Sequence, residues 1–244
     1  MGKAKGKITS LRTLAWFVAM GALAFFSWLM LGITLEYWPV RSDAAFLRIK
    51  QQYLGIKHWE AAFWIHVFTS MLPLMAGFTQ FAPWILKRRP GLHRAMGKVY
   101  VFTVCFVTGP ASLVMAFYAN GGITSRIAFV TLAILWLATT AMGWRKIAGR
   151  DWKRHREWMI RSYALTLSAI TLRAWKYLIV MAFEPAPMDV YRLVAWLGFV
   201  PNIIFAEWWI RRTRGKRRKM SQRQIPDVDM KGLPVSIRSP STKL

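Results

Sequence analysis

Residues 99–125, VYVFTVCFVTGPASLVMAFYANGGITS, contain no charged side chain. A helix needs roughly 20 apolar residues to cross about 30 Å of hydrocarbon, so this stretch can span a membrane before it turns at the Asn-Gly-Gly sequence of residues 120–122. Three further uncharged stretches lie around it, at residues 13–35, 61–86 and 127–144. The repeated pattern predicts a protein that crosses the membrane several times.

The overall composition agrees with that interpretation and excludes several other classes. Of the 244 residues, 55% are hydrophobic and only 18% are charged, which is unusual for a soluble domain. The net charge of +25 would suit a nucleic-acid-binding protein, but such a protein has no need of long uncharged stretches. A single cysteine, Cys105, rules out a framework of internal disulfides.

We predict an all-α, polytopic membrane helix bundle with about six transmembrane helices. Residues 1–13 form a basic N-terminus, 14–210 a transmembrane domain with core hairpins at 61–183, and 211–244 a basic tail that is disordered beyond about Met220. The predicted spans are 14–35, 61–86, 98–119, 126–147, 158–182 and 191–210.

The distribution of Lys and Arg predicts the orientation of the bundle. The N-terminus, residues 87–98, residues 145–161 and the tail together hold 27 of the 35 basic residues, whereas the alternate loops hold 6. Cytoplasmic loops retain positive charge, so both termini are predicted to be cytoplasmic. We expect an inner-membrane protein whose basic segments contact anionic lipids of the cytoplasmic face.

Polar residues gather on one face of two spans. Projection at 100° per residue places His66, Ser70, Pro73, Gly77, Gln80 and Trp84 together on the second span, and His155, Met159, Ser162, Thr166, Ala169, Arg173 and Lys176 together on the fifth. Hydrocarbon penalises polar groups, so we expect the two faces to meet inside the bundle. The candidate solute-binding residues are His66, Gln80, Ser162, Thr166, Arg173 and Lys176, with Glu60 and Glu184 as counter-charges.

Two His-Arg pairs occupy equivalent positions near the cytoplasmic side. His93-Arg94 precedes the third span and His155-Arg156 precedes the fifth. Both pairs follow a basic loop that returns the chain into the membrane, which hints at a duplicated hairpin.

The segments PGLHRAMGKVY (90–100) and DWKRHREWMIRSYALT (151–166), followed by TLR (171–173), resemble the hallmark of a bacterial family of predicted polytopic membrane proteins of unknown function. The resemblance covers about residues 60–183 and implies a membrane fold without a secure reaction. More loosely, histidines on several helices resemble those of membrane b-type cytochromes and ferric-reductase-like proteins. That resemblance implies haem clamped between helices.

The residue chemistry allows one haem. His93 and His155 are the only histidines expected at one depth, and they could supply two axial ligands. Arg94, Arg156 and Arg161 would pair with the haem propionates as charged hydrogen-bond donors. Because His66 has no second histidine, a two-haem path across the membrane is not supported, and no metal other than haem iron is expected.

Two alternatives stay open beside this redox hypothesis. The polar seam could form a path or pocket for a small polar or anionic solute, or the bundle could be a non-catalytic subunit that binds a redox or assembly partner. The sequence contains no P-loop, H-E-x-x-H, C-x-x-C or G-x-S-x-G motif. No catalytic residue is assigned, and whether the protein is an enzyme is left open.

Overall fold

The chain folds into a bundle of helices. The computed structural model describes the backbone of residues 2–223 and the side chains of residues 13–215, and this part of the chain contains no β-strand. Six segments are long and apolar enough to cross a membrane, which confirms the predicted fold class. These spans are Thr13–Leu35, Lys57–Gln80, Pro90–Ala116, Gly122–Ala148, Trp152–Phe183 and Pro187–Gly215.

Within residues 2–223 we number the α-helices in chain order. They are α1 Gly2–Leu35, α2 Lys57–Thr69, α3 Met71–Gln80, α4 Pro83–Arg88, α5 Pro90–Phe102, α6 Gly109–Ala116, α7 Gly122–Ala148, α8 Trp152–Thr166, α9 Ser168–Phe183, α10 Pro187–Leu197 and α11 Val200–Arg223. Two 3₁₀-helices, Ala45–Ile49 and Gln51–Tyr53, connect α1 to α2, and a π-helical segment, Thr103–Thr108, joins α5 to α6.

Alternate connections meet at opposite ends of the bundle. We call the end that holds residues 81–98 and 145–157 the basic end, and the end that holds residues 36–56, 117–121 and 184–187 the far end. The basic end is the one predicted to face the cytoplasm.

Four of the spans are interrupted halfway along their length. The second changes direction at Ser70, the third contains the π-helical segment, the fifth has a turn at Leu167 and the sixth turns at Gly198. Proline explains part of this pattern, because Pro73 and Pro110 lack the N–H that a regular helix needs. The interruptions mean that a straight 100° projection cannot hold over a whole span.

The helices begin and end at positions that differ from the predicted spans. The second span ends at Gln80 rather than 86 because a separate helix, α4, starts at Pro83. The third span begins at Pro90 and the fifth at Trp152, so the His-Arg pairs lie inside helical first turns rather than before the spans. Charged first turns are compatible with helices that start at the headgroup level, where long side chains reach water.

Small residues allow the spans to pack closely. A Cβ on Gly77 would lie 1.8 Å from the Tyr163 hydroxyl, and one on Gly143 would lie 2.6 Å from the Met159 sulfur. Glycine at these two positions therefore lets α3 and α7 each approach α8. The hydrophobic core around this contact includes Leu74, Val104 and Leu165, all buried.

The far end has its own small core. Tyr37, Leu47, Trp59 and Phe63 are buried against one another beneath the 3₁₀-helices, whereas Trp38 is 72% exposed. The connection between α1 and α2 is thus a packed structure.

The chain is divided into two compact units, Met1–Ala206 and Glu207–Leu244. In the second, the Arg212 guanidinium lies 5.1 Å from the centre of the Trp208 ring. The predicted tail begins inside α11, which runs to Arg223, and residues 224–244 of that tail lie outside the described residues.

Candidate functional site

The basic end presents two histidines on neighbouring helix starts. His93 lies in the first turn of α5, which begins at Pro90, a residue well suited to the first helical position. His155 lies in the first turn of α8, where Asp151 caps the helix by accepting a 3.1 Å hydrogen bond from the Arg154 amide. His155 is among the electrostatic neighbours of His93, so the two histidines predicted as a pair lie at the same end of the bundle.

The His155 ring is held in one tautomer. Its Nδ1 lies 2.9 Å from the Gly143 carbonyl oxygen, which can only accept, so Nδ1 carries the proton. Nε2 therefore keeps its lone pair, and no residue in the described part of the chain donates a hydrogen bond to it. A backbone carbonyl that orients a ring in this way is the usual second interaction of a metal-binding histidine.

His93 carries an unsatisfied polar atom. Its Nδ1 is buried and has no hydrogen-bond partner among the described side chains and backbone, although the ring interacts with the Thr79 backbone. The main chain at this position is fixed, because Gln80 Nε2 donates a 3.0 Å hydrogen bond to the His93 carbonyl. Buried polar atoms nearly always have a partner, so an exception marks a place where a ligand could bind.

The three arginines predicted beside this pair differ in their surroundings. Arg94 and Arg156 are exposed, and Arg94 interacts electrostatically with His93. The Arg161 guanidinium lies 4.7 Å from the centre of the Trp158 ring, which holds it against α8. Arg94 and Arg156 are therefore the arginines placed at the surface of the basic end, next to the two histidines in sequence.

The residues of the basic end that could hold a cofactor are two imidazoles and two exposed arginines. Within the described residues no group of three or more His, Cys, Asp or Glu side chains could hold a metal. Two imidazoles are enough for the axial positions of a haem, whose porphyrin supplies the other four nitrogens. Cationic arginines near the site favour the carboxylates of a porphyrin and oppose a free cation.

A hydrogen-bond network fills the middle of the bundle. The Tyr100 hydroxyl lies 2.6 Å from Ser162 Oγ and 2.8 Å from Thr166 Oγ1. Trp136 Nε1 donates to Thr166 Oγ1 at 2.9 Å, and Thr140 Oγ1 lies 2.6 Å from Ser162 Oγ. All five side chains are buried, so the network joins α5, α7 and α8.

This network contains two of the residues predicted to bind a solute, Ser162 and Thr166. Their hydroxyls are engaged with other helices, while Gln80 donates to Thr79 and to the His93 carbonyl. Sequence reasoning missed Tyr100, Trp136 and Thr140. Their signal would have been polar-capable residues at the depth of Ser162 and Thr166, one on the third span and two on the fourth.

The remaining solute candidates lie towards the far end. His66 Nδ1 is 2.8 Å from Ser112 Oγ, and the Ser112 hydroxyl itself donates to the Thr108 carbonyl at 2.6 Å. Because that serine has only one proton, His66 must be the donor, which leaves its Nε2 as an acceptor. Arg173 interacts electrostatically with His66, whereas Lys176 is exposed.

The predicted counter-charges do not join this cluster. Among the described residues, neither Glu60 nor Glu184 forms an ion pair with His66 or Arg173. The electrostatic neighbours of Arg173 are instead two phenols, Tyr37 and Tyr177. The electrostatic neighbour of His66 is thus the Arg173 guanidinium, whereas His155 has the His93 imidazole as its neighbour.

Comparison with known proteins identifies a family and no individual relative. Residues 63–210, well over half of the chain, match the family described as predicted membrane protein (DUF2306). No curated protein and no solved structure matches the chain. The matches give no support to the looser resemblance to membrane cytochromes. The matched region contains all eleven residues predicted above for the haem site or the solute site, and the chain belongs to the DUF2306 family of predicted membrane proteins.

Proposed function

We propose that this membrane protein binds one haem b at its basic end, with His93 and His155 as the axial ligands, and that it transfers electrons through that haem. The observation that carries the proposal is the pair of neighbouring imidazoles with incomplete hydrogen bonds. One ring offers an unprotonated Nε2 because Gly143 holds its other nitrogen, and the second ring has a buried nitrogen without a partner.

The residues around the pair support the same assignment. Two imidazole ligands favour a low-spin iron that changes its oxidation state without binding a substrate, which is the property of an electron-transfer haem. Arg94 and Arg156 would hold the propionates at the membrane surface through charge-assisted hydrogen bonds. The Gly143 carbonyl would keep the His155 ring oriented and raise its basicity.

The positive charge around the site supports a cytoplasmic location for the proposed haem. The distribution of Lys and Arg favours a cytoplasmic location for the basic end, which supports our proposal of a protein of the bacterial inner membrane. A haem at that end would exchange electrons with a cytoplasmic donor or with a partner in the same membrane.

The proposal can be tested by absorption spectroscopy of the detergent-purified protein. Cells would be supplied with a haem precursor during expression, so that the cofactor is not limiting. We expect a Soret band that sharpens on reduction with dithionite, and about one haem per chain in a pyridine haemochrome assay.

Three variants would locate the ligands. We expect His93→Ala and His155→Ala each to lose haem or to give a high-spin spectrum. His66→Ala should keep the wild-type spectrum, because that ring has no imidazole partner. Imidazole added to His93→Ala or His155→Ala should restore the low-spin spectrum, which a merely structural defect would not allow.

Two outcomes would contradict the proposal. Wild-type haem content in both His93→Ala and His155→Ala would exclude these residues as ligands. A folded but colourless protein from haem-supplied cells would exclude haem, and would favour the solute-binding and assembly hypotheses.

A further inference from the structure

A cavity of about 370 Å³ opens at the far end, at the opposite end of the spans from the two histidines. Its lining comes from all three far-end connections: Ile49 and Tyr53 from the 3₁₀-helices, residues 119–122 from the turn before α7, and Met188 near the start of α10. Its volume lies within the usual range for small-ligand pockets. The far end is thus built around a concave site.

The charge of this cavity has a single sign. Arg126 is the one charged residue in its lining, and the side chain has no ion pair or hydrogen-bond partner within the described part of the chain. Asp189, which follows the lining residue Met188, is occupied, because its Oδ1 lies 3.1 Å from Arg192 Nη1. No carboxylate therefore neutralises Arg126 from the described residues.

A second cation lies behind the cavity wall. Lys50 is only 2% exposed, and its ammonium lies 4.5 Å from the centre of the Tyr53 ring, which lines the cavity. Its Nζ donates a hydrogen bond to the Tyr118 carbonyl. Burial, helped by the charge of Arg126, lowers the pKa of Lys50 to about 8, so the two cations act on each other. An anion in the cavity would relieve this repulsion.

The start of α7 adds hydrogen-bond donors. Gly121 and Gly122 both have positive φ, +83° and +77°, and they place the unpaired first N–H groups of a 27-residue helix at the cavity. The Gly121 carbonyl accepts a 3.0 Å hydrogen bond from Arg192 Nε, which turns the Gly122 N–H away from Arg192. These N–H groups carry the positive end of the helix dipole.

One buried hydroxyl beside them has no partner. Ser125 is fully buried, and its Oγ makes no hydrogen bond to any described residue. The same oxygen faces Gly121, since a Cβ at that glycine would lie 2.4 Å from it. Ser125 does not line the cavity itself, but its hydroxyl lies behind Gly121, which does. The donors that a tetrahedral oxyanion in the cavity would meet are the first N–H groups of α7 and the Arg126 guanidinium.

We propose that the far-end cavity is a phosphate-binding site, in which Arg126 and the first N–H groups of α7 hold the phosphate oxygens. The proposal is independent of the haem hypothesis. The phosphate has two chemical sources, a soluble phosphate monoester or the headgroup of an anionic phospholipid. The cavity lies where α7 enters the membrane, which is the level of headgroup phosphates.

The first arm of the test uses the full-length protein in nanodiscs of phosphatidylcholine alone, with glycerol phosphate as the soluble probe in isothermal titration. The second arm uses nanodiscs that also contain phosphatidylglycerol, and counts by native mass spectrometry the lipids that stay bound. Saturable binding of glycerol phosphate would identify a soluble ligand. Retained phosphatidylglycerol that glycerol phosphate does not displace would identify a lipid.

A matched pair of variants makes the test specific to the site. Arg126→Gln keeps an amide donor but removes the charge, so we expect at least tenfold weaker binding, or one fewer retained phosphatidylglycerol. Arg41→Gln is the control, because Arg41 is an exposed far-end arginine that is paired with Asp43 at 3.7 Å. It should change binding by less than twofold.

The result that overturns the proposal is equally concrete. If neither probe binds the wild-type protein, the cavity is not a phosphate site. The same conclusion follows if Arg126→Gln and Arg41→Gln change binding equally while both proteins stay monodisperse.

Discussion

Two sets of buried polar groups in this bundle differ in whether their hydrogen bonds are complete. In the middle of the bundle, the Tyr100 network satisfies every side chain that it contains. At the basic end, His93 has a buried nitrogen without a partner in the described structure, and His155 offers a free Nε2. The complete set satisfies its own hydrogen bonds, as a structural role requires, whereas the incomplete set leaves two nitrogen atoms without a partner.

Completeness of hydrogen bonding separates structural from functional polar residues in a membrane bundle. Hydrocarbon makes an unsatisfied group costly, so helices that only need to associate complete their hydrogen bonds with one another. A group left incomplete lowers stability unless something else binds to it. Variants of the first set should therefore change stability, and variants of the second should change ligand binding.

The largest loss of stability is expected at Gly77, where α3 meets α8. Gly77→Ala would place a Cβ 1.8 Å from the Tyr163 hydroxyl and disturb the 2.8 Å hydrogen bond that this hydroxyl donates to the Leu74 carbonyl. We expect the free energy of unfolding to fall by about 3 kcal/mol, as for overpacking elsewhere. Denaturation in mixed micelles would measure it.

Gly21→Ala is the control for this prediction. A Cβ at Gly21 meets nothing within 4 Å, and alanine is the better helix former, so stability should stay the same or rise slightly. Equal effects of the two substitutions would mean that the contact between α3 and α8 is not close-packed.

Lys50, at the far end, resembles neither set completely. Its buried ammonium has one carbonyl and aromatic rings as partners but no acid. Its pKa is about 8 in the folded protein and 10.5 ordinarily. Between these values the unfolded chain holds a proton that the folded chain lacks, so the free energy of unfolding should rise with pH from about 8 to about 10.5. A rise of at most about 3 kcal/mol is expected, since one pKa unit corresponds to about 1.4 kcal/mol.

Denaturation at a series of pH values would measure this effect in the wild-type protein, Lys50→Met and Lys57→Met. The rise should disappear in Lys50→Met, which has no ammonium to titrate. It should persist in Lys57→Met, where the substituted residue is exposed at the same end. A pH dependence that survives in Lys50→Met would assign the titration to another group.

Tyr100→Phe tests the complete set directly. The substitution removes the hydroxyl that joins Ser162 to Thr166 and leaves those two side chains with fewer partners. Hydrogen bonds between membrane helices contribute about 1 kcal/mol, so we expect a loss of that size. Haem content should not change. Tyr177→Phe, on a residue that is 64% exposed, should have no effect on stability, and a loss equal to that of Tyr100→Phe would refute the special role of the network.

Most of the fold could be predicted from the sequence, because hydrocarbon thickness fixes the length of an uncharged span. The uncharged stretches at 13–35 and 99–125 therefore located helices directly. The ends were less predictable. The prediction starts each span after the last charged residue, yet α5 and α8 carry charged residues in their first turns. The third span therefore begins at Pro90 rather than 98.

The candidate site was predictable in part. Histidines next to arginines at two equivalent loops indicated the basic-end pair, because the positions in sequence imply a common depth. The partners of Ser162 and Thr166 were not predictable, since Tyr100 and Trp136 read as ordinary apolar positions within their spans. The far-end cavity was also missed, because three connections that are distant in sequence form it together.

The smallest change in stability is expected for His93→Phe, and this is the sharpest test of the comparison. Phenylalanine keeps an aromatic ring and removes the buried nitrogen that has no partner, at the loss of the ring's hydrogen bond to the Thr79 backbone. The Gln80 hydrogen bond to the main chain is retained. In protein prepared without haem, the free energy of unfolding should change by less than about 1 kcal/mol, because removing an unsatisfied group offsets the altered packing. The same substitution should abolish haem binding. A loss of stability larger than that of Tyr100→Phe, measured in the haem-free proteins, would place His93 among the structural residues and would remove the distinction between the two sets.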